Sequence, residues 1–85
     1  MPDANEAFAG AQRAAGVITA KHRGDLAGAE QLLGAFPDEA ACSRGFLLLA
    51  ELTLALLRAQ SGQSMNELVQ ELSLHIAAAH GPGPA

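Results

Sequence analysis

SRGFLLLAELTLALLRAQ, residues 43–60, is the stretch whose reading decides the fold. Wound at about 100° per residue, it places Phe46, Ala50, Leu54 and Leu57 on one flank. Leu48, Leu49, Leu52, Leu56 and Ala59 fall on the other. A thin polar stripe of Arg44, Glu51 and Arg58, spaced seven apart, lies between them. A helix that is apolar nearly all round is a buried one, so other elements are expected to cover it on at least two sides.

The covering elements are read outward from this helix. Before it, Asp25 is an N-cap, and Leu26, Ala29, Leu32, Leu33 and Phe36 form an apolar stripe with Gln31 opposite. Pro37 closes that segment, because the residue before proline is biased away from the helical region. Asp38 is placed to cap the central helix directly; it then starts at Glu39 with Gly45 as a soft point, the alternative being a turn that restarts at Ser43. Gly62 ends it. Further upstream, Asp3 and Glu6 have the spacing of a helix start, and Ala4, Phe8, Ala11, Ala15 and Ile18 share a face. Gly10 and Gly16 weaken this first helix by up to about 1 kcal/mol each, and it is expected to be the least firmly held. Lys21, His22 and Arg23 suit the negative end of its dipole, and Gly24 terminates it. Downstream, Ser64 and Glu67 form a capping box. Met65, Leu68, Leu72, Ile76 and Ala79 then face inward, with Leu74 pointing away. The sequence therefore predicts an all-α fold, a compact bundle of helices near 3–23, 25–36, 39–60 and 64–79. It is a single domain over residues 1–80, followed by a flexible Gly/Pro tail at 81–85. The expected core is Phe8, Ile18, Leu26, Leu33, Phe36, Phe46, Leu49, Leu52, Leu56, Leu57, Leu68, Leu72 and Ile76, and Leu52→Asp is expected to unfold it.

Composition bounds what such a bundle does. The chain has 85 residues, 49% hydrophobic and 16% charged, with 4% aromatic and no Trp or Tyr. A chain this short buries only about 60–65% of its unfolded surface, and its core must be leucine and alanine at close helix approach. Five Lys plus Arg against nine Asp plus Glu give a net charge of −4, with none of the basic clustering that nucleic-acid binding requires. Cys42 is the one cysteine, which excludes an intrachain disulfide and fits a reducing cytoplasm. The N-terminus lacks the charged and apolar regions of a signal peptide. The apolar run from Phe46 to Leu57 is shorter than the roughly 20 residues of a membrane span and is interrupted by Glu51. Abundant Ala and Gly, with Arg preferred to Lys, resemble the coding bias of a GC-rich bacterial genome.

No arrangement of reactive residues points to an enzyme, a metal or a cofactor. His75 and His80 are five apart and diverge on a helix, and neither C-x2-C nor H-x3-H spacing occurs. Cys42 has no histidine near it in sequence, which favours a structural thiol. Glu67 and Glu71 share a helical face but flank an exposed helix start, where acids stabilise the dipole. The run RGDLAGAEQLL, residues 23–33, resembles the start of a tetratricopeptide-type helix, without a 34-residue period. An acidic four-helix chain of this length also resembles an acyl carrier protein in outline, and GQSMNEL, residues 62–68, is similar to that family's G-x-D-S-L loop. That resemblance implies a phosphopantetheine on Ser64. Gln63 stands where the family has Asp, however, and a single helix follows where the family has most of its second half.

The stripe of Arg44, Glu51 and Arg58 has two readings, a solvated face or an interface seam. Leu47 and Leu54 flank it, and residues seven apart allow Glu51 to pair with Arg58 or Arg44 of an antiparallel copy. The function expected from the sequence is contact: a cytoplasmic, non-enzymatic homodimer or regulatory module. Its candidate interface is Arg44, Leu47, Glu51, Leu54, Arg58 and Leu74, and neither nucleic acid nor membrane is an expected partner. A binder of small apolar ligands between leucine-rich helices is the alternative.

Overall fold

The computed structural model describes residues 4–80; the expected cap at Asp3 and the tail at 81–85 lie outside them. Four α-helices in chain order account for nearly all of that range: α1 (Ala4–His22), α2 (Leu26–Gly34), α3 (Glu39–Ser61) and α4 (Met65–His80), with no strand among the described residues. The chain divides into two compact units, Met1–Leu52 and Thr53–Ala85.

Local chemistry sets the helix ends. Gly24, at φ 81°, closes α1 in the left-handed conformation, with Asp25 N–H donating to Ala20 O at 2.9 Å and Gly24 N–H to Lys21 O at 3.0 Å. This is the paired bonding of a Schellman cap, which satisfies the last carbonyls of the helix. Asp25 then caps α2 through Gly28 N–H to Oδ1 at 2.9 Å. Asp38 caps α3 in the same way, accepting from Ala41 N–H at 2.7 Å, so α3 starts at Glu39 and not at Ser43. Gly62, at φ 74°, closes α3.

The core of the first unit is built from small side chains. Ala11, Ala14, Val17, Ala20, Ala29 and Phe36 are buried, as are Gly10 and Gly45. Gly10 and Gly45 bring the backbones of α1 and α3 into direct contact: a Cβ on Gly45 would stand 2.7 Å from Gly10 O and 3.0 Å from Phe36 Cε1. Val17, Ala20 and Ala29 form one cluster against which Leu32 and Phe46 pack.

This corrects the expected core. Of the thirteen residues assigned to it, Phe36 and Leu68 are buried and Phe46 and Leu49 half-buried; Phe8, Ile18, Leu26, Leu33, Leu52, Leu56, Leu57, Leu72 and Ile76 are exposed. The physical reason is visible at the crossing of α1 and α3. Helices in backbone contact have no room for Phe or Ile between them, so α1 turns its glycine and alanine side inward and leaves Phe8 and Ile18 in solvent. Gly45 is accordingly a contact point, and α1, expected to be the least firmly held helix, supplies most of the buried residues of its unit.

Candidate protein-contact surface

The predicted interface residues sit along α3 and on α4. Arg44, Glu51 and Arg58 are exposed, Leu47 is 61% exposed, Leu54 is half-buried, and Leu74 on α4 is 66% exposed. The first five lie on one continuous helix within an arc of roughly 80° at 100° per residue, opposite the side where Gly45 meets α1. Neither Arg44, Glu51 nor Arg58 has an ion-pair partner among the described residues.

The apolar surface is larger than the sequence suggested. Leu52 and Leu56 continue the helical line of Gly45, yet they are 46% and 59% exposed, and Leu57 on the other flank is 44% exposed. With nine residues, α2 is about 14 Å long, whereas α3 with 23 residues extends about 35 Å. On α4 only Leu68 is buried, and Val69, Leu72 and Ile76 on the same side are exposed. By length and composition α3 is also apolar enough to cross a membrane. Its 23 residues match the expected span of 39–60 to within one residue and contain the apolar run from Phe46 to Leu57.

The first unit carries a separate open cleft of about 410 Å³, whose lining includes Glu6, Arg13, Phe36, Asp38 and Arg44. The Arg13 guanidinium stands 5.2 Å from the Phe36 ring centroid, within cation–π range, and Phe36 and Phe46 meet with centroids 6.2 Å apart. No sequence pattern singled out Arg13, since its partner lies in a loop beyond α2.

Ser64 works as a cap. Its hydroxyl accepts from Glu67 N–H at 3.2 Å while Glu67 Oε1 accepts from Ser64 N–H at 2.9 Å. The Ser64 backbone N–H, and then its hydroxyl, hold the Glu67 carboxyl below the usual carboxylate range. Gln63 Nε2 donates to Glu71 Oε2 at 3.0 Å, tying the turn to α4. Cys42 lies in the first turns of α3, half-buried, its N–H donating to Asp38 O at 3.1 Å. Among the described residues no three His, Cys, Asp or Glu side chains converge. No family model matches this chain, and neither a curated protein nor a solved structure matches it.

Proposed function

We propose that this protein acts by contact: a cytoplasmic, non-enzymatic helical module that self-associates as a homodimer through α3. The observation that carries this reading is the uncovered apolar surface of α3, on which Leu47, Leu52, Leu56 and Leu57 are all exposed. Burying a large apolar side chain contributes roughly 1.5–3 kcal/mol, so half-exposed leucines in this number favour a covering surface. A two-fold contact is the commonest way to supply one.

The charges on α3 favour protein over lipid as that cover. Arg44, Glu51 and Arg58 divide the helix at seven-residue intervals, and each charge near a bilayer centre costs about 2.5–3.5 kcal/mol on insertion scales. A small apolar ligand held between helices would leave the outward Leu47 and Leu74 uncovered. The test is the mass in solution of the wild type and of Leu57→Asp, by light scattering at matched micromolar concentrations. Leu57 is 44% exposed in the single chain, so the variant should keep its helicity while its association weakens by about tenfold or more, two such side chains being lost from each dimer. Two monomers of equal mass would contradict the proposal.

A further inference from the structure

Self-association through α3, on which this inference rests, requires a direction, and the charges set it. We infer that two copies pair their α3 helices antiparallel, each Glu51 carboxylate against the partner's Arg58. Ser43, Leu47, Ala50, Leu54, Leu57 and Ser61 recur at steps of four, three, four, three and four. That is the seam of a two-stranded coiled coil. Leu54 is half-buried and the other five are exposed, so the seam is open along its length.

Arg44, Glu51 and Arg58 each follow a seam residue, on one flank only. The corresponding positions of the other flank are Phe46, Thr53 and Gln60. Flanking charges set the orientation of paired helices. In a parallel pair each flank meets the opposite flank of its partner, and the three charges would face uncharged residues. In an antiparallel pair each flank meets its own kind reversed, so the stripe meets itself.

Sliding one helix along the other then selects the register. A two-fold axis level with Glu51 sets Glu51 against Glu51 and Arg44 against Arg58, all like charges. An axis between Arg44 and Glu51 matches the charges but sets Leu54 and Leu57 against Ser43 and Ala40. An axis between Glu51 and Arg58 matches the charges on both sides and packs Leu54 against the partner's Leu57 twice. Only this last register matches the charges and packs leucine on leucine; it overlaps the two helices over residues 50–61 and leaves Leu47 beyond the end of the partner's α3.

The test is charge reversal read by sedimentation equilibrium. By two-fold symmetry Glu51→Arg creates two Arg–Arg contacts and Arg58→Glu two Glu–Glu contacts, so each alone should weaken dimerisation on the order of tenfold. Mixed in equal amounts, the two variants should form a heterodimer, and the double variant should self-associate as the wild type does. Both positions are exposed, and unchanged far-UV circular dichroism confirms that folding is not what changed. Rescue of Glu51→Arg by Arg44→Glu but not by Arg58→Glu would overturn this register. A dimer indifferent to every reversal would overturn the antiparallel pairing while leaving self-association intact. A monomeric wild type, including one that binds only phosphatidylcholine vesicles, would remove self-association itself.

Discussion

Gly45 carries more of this fold than its lack of a side chain suggests. A Cβ there meets the backbone of Gly10, which has no flexible end to move aside, so α1 and α3 must separate to admit it. Overpacking of this kind costs about 1–3 kcal/mol, more than the up to about 1 kcal/mol that alanine gains over glycine in helix propensity. Gly45→Ala should therefore lower the melting temperature. Gly34→Ala, where nothing lies within 4 Å and φ is not positive, should leave it unchanged or raise it; thermal unfolding of the two variants checks both signs. Glu67 gives a second prediction. Its folded pKa is depressed, so its stabilisation of α4 is present above the ordinary glutamate range and is lost as pH falls through the folded value. An NMR titration should find its carboxyl titrating below the ordinary range, and Ser64→Ala should move it part of the way back. Caps such as Asp25, Asp38 and Ser64 were legible in the sequence because capping is local chemistry, settled within three or four residues. The partnership of Gly10 with Gly45 was not, since a close approach between helices leaves no periodic mark.

At the scale of the element, all four helices could be read from caps and spacing, and their ends agree with the expected ones to within one or two residues. Which face of each is covered could not. Hydrophobic periodicity points inward along the largest side chains, and α1 does the opposite by burying its small ones. On α3 the circumference was read correctly as apolar, but the expectation that other elements cover it on at least two sides required partners of sufficient length. The nine residues of α2 fall short. The consequence for Leu52 is a reversal of the sequence expectation. Being 46% exposed in the single chain, Leu52→Asp should retain its helical circular dichroism, because an accessible carboxylate keeps its hydration and avoids the penalty of burial. Loss of helicity at low micromolar concentration, where wild type and variant are both dissociated, would show that Leu52 is covered within one chain.

For the whole molecule, two units with one buried side chain in α4 and a glycine–alanine core around α1 make a protein with much of its leucine in water. Contiguous exposed apolar patches mark interaction sites, which is the ground for proposing a partner along α3. Of the candidate interface, the line of Leu47, Glu51, Leu54 and Arg58 was visible as a seven-residue recurrence beside a polar stripe. The exposure of Leu52 and Leu56, on the other side of α3 where Gly45 meets α1, was not, because there they looked like core. Sedimentation equilibrium of the wild-type chain from low to high micromolar concentration tests the account most directly. It predicts a mass that rises from 8.7 kDa toward twice that value, with a stable interface of more than about 1,000 Å². A single 8.7 kDa species that holds its mass throughout would contradict it.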